Sequence, residues 1–208
     1  MKEYPSIDRG SKSIVKGKPV YAFDKLDGSH IRAEWSKQKK FWKFGTRRQL
    51  ISKSCGEMWG EAPTLVKEKY ERDLHDIFVK QRFTKVICHL EFYGKSSFAG
   101  NHADEPHDVM LFDIRVKGKG LILPKDFLKM TKGVETAKLL YHGNANEPFI
   151  EQVREGTLEG MTHEGVVCKL QEYKTPGVPI MFKVKSKAWY ERLSKKCNGD
   201  EQLFNRLA

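Results

Sequence analysis

The stretch "YAFDKLDGSHIRAEW", Tyr21 to Trp35, sets a polar corner between two apolar runs. Val20, Tyr21, Ala22 and Phe23 have the β-branched and aromatic content of a short buried strand, and Ile31, Ala33 and Trp35 alternate with polar residues as a second one. Between them stand Lys25, Asp27 and Gly28. An Asp-Gly pair between strand-like runs predicts a tight turn. Taken alone, Lys25 reads as the solvated corner of a hairpin.

Working outward, further strand-like runs fall at Phe41–Phe44, Lys85–Tyr93, Val109–Val116, Gly165–Leu170 and Pro179–Val184. Between Pro63 and Phe83, the apolar positions Val66, Tyr70, Leu74, Ile77 and Phe78 recur at helical spacing, with Pro63 suited to a first turn. Shorter helices are predicted at Lys125–Lys132 and Lys187–Cys197, the latter turning Trp189, Leu193 and Tyr190 inward. Strands outnumber helices and come in hairpin-like runs. The fold class is therefore α+β, with mostly antiparallel sheets and flanking helices rather than a doubly wound sheet.

The lysine corner is not alone. Four later runs plant charges in or at the ends of apolar strands: "HLEFYG" with Glu91, "VMLFDI" with Asp113, "HEGVVCK" with Glu164 and Lys169, and "MFKVKS" with Lys183 and Lys185. Alternation puts Lys183 and Lys185 on one strand face. Two ammonium groups side by side repel unless an anion lies between them.

This ordered set resembles the covalent nucleotidyltransferase superfamily of polynucleotide ligases and RNA-capping enzymes, whose signature Lys-x-Asp-Gly stands here as Lys25-Leu26-Asp27-Gly28. The runs "HLEFYG", "LFDI", "HEGVVCK" and "FKVK" match four further motifs in order. Within the superfamily, "EFYGKSSFAG" (Glu91 to Gly100) and the opening "YPSI" (Tyr4 to Ile7) are similar to ATP-dependent RNA ligases, especially the phage-type nick-sealing branch. The resemblance implies a nucleotidyltransferase (ATP-grasp-like) fold over residues 1–208 as a single domain. Twenty-three residues follow Lys185, too few for the OB-fold domain common in DNA ligases and capping enzymes.

The resemblance also implies a chemistry. Lys25 attacks the α-phosphate of ATP, the AMP passes to a polynucleotide 5′-phosphate, and an adjoining 3′-hydroxyl closes the phosphodiester with release of AMP. An unperturbed lysine titrates near ~10.4, so the expectation is that Lys183, Lys185 and a metal ion favour the neutral amine of Lys25 and then stabilise charge on the phosphate. Glu164 is the candidate ligand for Mg²⁺, with Mn²⁺ as an alternative, because a hard cation takes carboxylate oxygen. Glu91 is expected to meet the ribose, Phe112 or else Phe92 to stack on adenine, and Arg47, with Arg48 as the other choice in "FGTRRQ", to contact a phosphate. Gly28 is expected to relax the backbone at the turn, and Asp27 to orient the loop or the metal's hydration shell, although a plain structural turn explains that pair nearly as well.

Charge agrees with a nucleic-acid partner. The chain has 38 Lys+Arg against 27 Asp+Glu, a formal +11, which favours polyanionic RNA over a membrane. No run reaches membrane-spanning length. The four cysteines, Cys55, Cys88, Cys168 and Cys197, form no CxxC pair and read as reduced thilos of a cytoplasmic protein, the host cytoplasm if the source is viral. A monomer is expected. His102, Asp104, Glu105, His107 and Asp108 crowd "NHADEPHD", yet the proline and irregular spacing fit a solvated loop better than a metal site. Two other readings stay open: a compact DNA ligase or guanylyltransferase of the same chemistry, and an inactive RNA-binding module, which the presence of Lys25, Glu91, Glu164, Lys183 and Lys185 disfavours.

Overall fold

The two strands of the opening stretch form, but they do not pair with each other. In a computed structural model that describes residues 1–9, 17–51, 57–95, 97 and 104–207, β2 (Pro19–Asp24) and β3 (Ser29–Ser36) lie in different five-stranded sheets. The first sheet runs β1 (Asp8–Arg9), β10 (Val178–Lys185), β9 (Gly165–Thr175), β2, β8 (Leu139–Asn144). The second runs β4 (Lys40–Thr46), β3, β5 (Lys85–Tyr93), β6 (Asp108–Val116), β7 (Gly120–Leu121). Every pairing is antiparallel except that of β1 with β10. Lys25 to Gly28 is thus a crossing between sheets, not the hairpin corner expected. Alternation reports which residues are buried and says nothing of which strand lies alongside.

Among the described residues, six helices flank the sheets: α1 (Glu57–Gly60), α2 (Ala62–Lys80), α3 (Pro124–Met130), α4 (Glu147–Glu155), α5 (Lys187–Cys197) and α6 (Glu201–Leu207). In α2, Val66, Tyr70, Leu74 and Phe78 are buried at a spacing of four, and Pro63 sits in the first turn, where its missing N–H costs nothing. That stripe packs with Ile31, Ala33, Trp35, Cys88 and Leu90 of the second sheet into the larger core. Each such side chain contributes roughly 1.5–3 kcal/mol by leaving water. The smaller core joins Val20, Ala22, Val166 and Cys168 to Phe149 and Val153 of α4.

The predicted α2, α3 and α5 and the seven predicted strands all appear, whereas β1, β7, β8, α1, α4 and α6 add to them. The added β8 is a largely exposed edge with little alternation to read, and α4 has nine residues. It is set instead by its ends, an Asn146 side chain accepting from the Phe149 N–H at 3.0 Å and Gly156 at φ 74°. Cys88, Cys168 and Cys197 are free and buried, and burial pushes the Cys88 and Cys168 thiols up; Cys55 lies outside the described residues. No helix among the described residues is long and apolar enough to cross a membrane.

Candidate active site

Because the chain crosses from one sheet to the other at Lys25, the first sheet's β9 and β10 and the second sheet's β5 and β6 face a common cavity of about 610 Å³. Lys25, Asp27, Gly28, Arg47, Glu91, Phe112, Glu164, Lys183 and Lys185 all line it. Positions as far apart in sequence as Lys25 and Lys185 are drawn together by pairing within each sheet and by the crossing between the sheets.

Glu164 is the hub. It sits just before β9, where its backbone is fixed from three sides. The Glu164 carbonyl accepts from the Ser186 N–H at 3.0 Å. The Ser186 hydroxyl donates to the His163 carbonyl at 2.6 Å, and Asp24 Oδ1 accepts from the Thr162 N–H at 3.0 Å. Lys25, whose own N–H donates to the Gly165 carbonyl at 2.9 Å, then meets Glu164 Oε2 at 2.6 Å through Nζ, while Lys185 Nζ meets Oε1 at 3.0 Å. The anion that two neighbouring lysines require is a carboxylate shared between them.

This arrangement corrects the expected protonation of Lys25. Burial pulls its pKa down, but Glu164, Glu91 and Asp27 together outweigh burial, and the net shift is upward. Lys25 is held as an ammonium, because the carboxylates around it outweigh its burial. The lysine that titrates low is Lys185, brought to about 8 by burial and by the charges of Lys25 and Lys183 against the pull of Glu164. Its Nζ also lies 3.3 Å from the centroid of the Trp189 ring, which faces the same cavity. Glu91 moves the other way, to about 8, chiefly through burial and with Glu164 and Asp27 adding to it against Lys25.

Gly28 also has a different role from the one expected. Its backbone φ is not in the positive range that favours glycine. Space is the constraint: a Cβ there would lie 2.4 Å from the Phe92 carbonyl oxygen and 3.1 Å from the Glu91 side chain. The Gly28 N–H donates to Glu91, so the close approach seats the carboxyl. Asp27 beside it is buried at 3 % exposure.

The choice between Phe112 and Phe92 follows from register. His89 pairs with Asp113 and Leu90 with Leu111, leaving Phe112 as one extra residue in β6. The shift lets Leu111 and Ile114 stay in the larger core while Phe112 turns to the cavity. Phe112 packs edge-on against Tyr4 with ring centroids 5.4 Å apart. Phe92 points the other way, into the core against Trp59 and His107. Arg47, just past β4, is exposed and lines the cavity mouth; Arg48 does not line it.

Sequence reading left several cavity residues without a role. Lys169, 2 % exposed, pairs with Asp113 at 2.8 Å and donates to the Phe112 carbonyl at 2.9 Å, holding the shifted strand. Asp113 also accepts from the Tyr4 hydroxyl at 2.5 Å. His30 and His89 touch at 3.0 Å between ring nitrogens, and burial drives His30 to about 3 and His89 well below its ordinary value, so the pair is neutral. The available signal was a charged residue on an apolar strand for Lys169 and Asp113, and position two before Glu91 for His89.

Among the described residues of the crowded "NHADEPHD" loop, the side chains turn to separate partners. His107 Nδ1 lies 2.7 Å from Glu61, and Asp108 bonds Lys69 at 2.6 Å; His102 lies outside the described residues. Among the described residues, no group of three or more His, Cys, Asp or Glu is placed to hold a metal. The cavity's donors are separate carboxylates, a set that suits a hard, hydrated cation sharing its ligands with phosphate rather than a closed protein cage.

Comparison with known proteins follows this geometry. The family model for RNA ligase matches residues 18–185, the span that holds every one of the motif residues from Lys25 to Lys185. The chain belongs to the RNA ligase family. Among solved structures it is similar to a Naegleria gruberi RNA ligase mutant with AMP and Mn, at TM-score 0.68 and 16 % identity over 92 % of this chain and 58 % of that one. The same ligase with PPi matches at TM-score 0.67 and 16 % identity over 92 % and 58 %, and another mutant with ATP and Mn at 0.67 and 17 % over 93 % and 60 %. These likenesses establish the α+β fold. The chain spans about 58 % of the length of the first of these ligase chains. No curated protein matches it.

Proposed function

We propose that this member of the RNA ligase family is an ATP-dependent RNA ligase that carries AMP on Lys25. The observation that bears the most weight is the Lys25–Glu164–Lys185 bridge at the floor of a cavity lined from both sheets. In the first step the Lys25 Nζ lone pair forms a bond to the α-phosphorus of ATP, and the bond to the bridging oxygen breaks with release of pyrophosphate. Glu164 Oε2, 2.6 Å from Nζ, is placed to hold or take the proton that Lys25 must lose. Lys183 and Lys185 line the same cavity and would stabilise the negative charge that grows on the phosphate. Phe112 offers a face for adenine, Glu91 an acceptor or donor for ribose, and Arg47 a planar fork for phosphate at the mouth. A divalent cation, Mg²⁺ or Mn²⁺, would be held by Glu164 and would supply further positive charge at the phosphates. AMP then passes from Lys25 to an RNA 5′-phosphate, and a 3′-hydroxyl displaces it to leave a phosphodiester.

The Naegleria ligase, which shares the fold, is bound to ATP, AMP or PPi in the matching structures, which supports the reading of the cavity as a nucleotide site. A monomer is the working form we propose. The substrate we propose is RNA that offers a 5′-phosphate end and a 3′-hydroxyl end, and the free thiols fit the cytoplasm.

Incubation with α-³²P-ATP and Mg²⁺ followed by a denaturing gel tests the reading. Label on the chain from ATP and not from GTP, lost in Lys25→Ala and chased by 5′-phosphorylated nicked RNA into a sealed product, is expected. A folded, AMP-free, metal-supplied protein that takes no label overturns it, and label from GTP alone favours a guanylyltransferase.

A further inference from the structure

Apart from Arg47 just past its end, the hairpin formed by β3 and β4 has no role in the chemistry above, and it is the most one-sided stretch of charge in the molecule. From Ser36 to Leu50 it carries Lys37, Lys39, Lys40, Lys43, Arg47 and Arg48 and no carboxylate. Two acids lie close by: Glu34 pairs with Lys85 at 3.0 Å, and Glu71 of α2 accepts from the Phe41 N–H of β4 at 3.3 Å. Strand β4 is the outer edge of its sheet.

On that edge an indole is turned outward. Trp35 pairs with Phe41 and Glu34 with Lys43, so Trp42 is one extra residue in β4. Phe41 and Phe44 remain buried, while Trp42 is 43 % exposed, among the largest exposed apolar groups of the described chain. A register shift on an edge strand re-aims a side chain, and here it lifts the ring away from a core that could have buried it. Lys39 and Lys43 hold their ammonium groups 4.6 and 5.7 Å from the Trp42 ring centroid. An exposed indole with two mobile ammonium groups over its ring offers a base a π-face once the lysines turn to its phosphates.

The strand leads to the cavity. Trp42 precedes Arg47 by five residues, about 17 Å at roughly 3.3 Å per residue, and Arg47 lines the mouth. We infer that the β3–β4 hairpin is a docking surface for an unpaired stretch of the RNA substrate, with Trp42 stacking on a base and Lys39, Lys40 and Lys43 on its phosphates. The inference rests on the RNA-ligase reading for the identity of the partner. It adds a substrate-gripping surface outside the nucleotide cavity.

The test measures fluorescence anisotropy of labelled, 5′-phosphorylated single-stranded RNA of about 12 nucleotides against the full chain, with self-adenylylation assayed on each protein in parallel. Trp42→Ala is expected to weaken binding roughly 5- to 100-fold, with Trp42→Phe retaining most of the affinity and both keeping wild-type labelling of Lys25. Replacing Lys39, Lys40 and Lys43 together by Ala should lower the slope of log affinity against log salt by about 2. Wild-type affinity in Trp42→Ala overturns the stacking role, and an unchanged salt slope in the triple variant overturns the phosphate track. If Trp42→Ala loses labelling as well as affinity, Trp42→Phe decides: retained affinity supports stacking and lost affinity overturns it. Should the wild-type chain fail to label, the ligase reading falls while the affinity comparison still judges the surface.

Discussion

Glu164 gives one oxygen to Lys25 and the other to Lys185, and this division predicts opposite effects from a single substitution. In Glu164→Gln the charge that raises the Lys25 pKa is gone, so more of the amine is neutral at a given pH. Acylation of Lys25 by an amine-reactive reagent near neutral pH, followed by mass spectrometry of its peptide, should therefore be faster than in the wild type. Self-adenylylation should nevertheless fall by about 100-fold or more, because the proton acceptor beside Nζ is lost. Slower acylation would show that Glu164 does not hold the ammonium. Glu91 supports a second prediction, through stability. Its folded pKa of about 8 lies above the ordinary carboxyl value, chiefly through burial, so the folded chain binds this proton more tightly than the unfolded one. Stability is then highest at low pH with respect to this group and is lost as pH rises from about 4.5 towards 8. Glu91→Gln removes that loss. Its thermal midpoint at pH 8 should exceed the wild type's by several degrees, each kcal/mol moving a chain of this size by about 2–4 °C, and the gap should close by pH 5. A gap that does not vary with pH would place the effect in packing instead.

Between elements, the decisive feature is the crossing from β2 to β3. A hairpin at Asp27-Gly28 would have put both strands in one sheet and left no cavity; crossing between sheets puts Lys25 opposite β9 and β10. Gly28 permits this by lying against the Phe92 carbonyl. Gly28→Ala should cost about 1–3 kcal/mol by overpacking, read by urea denaturation, and should lower self-adenylylation further by lifting the crossing off Glu91. A variant as stable and active as wild type would show that β5 moves aside freely. A matching constraint holds across the cavity, where Gly165 at φ +135° would place a Cβ 2.1 Å from the Val184 carbonyl. Most of these elements were legible in the sequence, since α2 shows a four-residue apolar spacing and β5 a β-branched and aromatic run that is buried almost throughout. The partner of each strand was not, because period-two patterning is the same in a hairpin and in a crossing. The members of the site were legible as charges planted in apolar strands. Their protonation was not, because it depends on whether Lys25 meets Glu164 or Lys185 first, a matter of 2.6 Å geometry. The one-residue shifts at Phe112 and Trp42 were equally hidden, since a bulge changes facing without leaving a mark in composition.

At the scale of the whole molecule, the two tasks proposed for the chain sit in different dielectric surroundings. Nucleotide chemistry lies in the cavity, where Glu164 and Lys185 are 4 % and 7 % exposed and bulk salt screens weakly. The +11 surplus of the chain includes solvent-facing lysines such as those of the β3–β4 hairpin, where affinity for RNA comes from releasing condensed counterions. Salt should therefore separate the two. Raising monovalent salt from about 50 to 200 mM should weaken binding of single-stranded RNA roughly 50-fold if about four phosphates are neutralised, at a slope near −0.7 per contact. Over the same range the rate of Lys25 labelling at saturating ATP and Mg²⁺ should change by less than about threefold, because the charges that act on the α-phosphate are buried. Single-turnover labelling and anisotropy titrations on one preparation give both numbers. If labelling falls as steeply as RNA binding, the cavity is more open to solvent than its lining residues indicate, and nucleotide capture depends on the same surface charge that collects RNA.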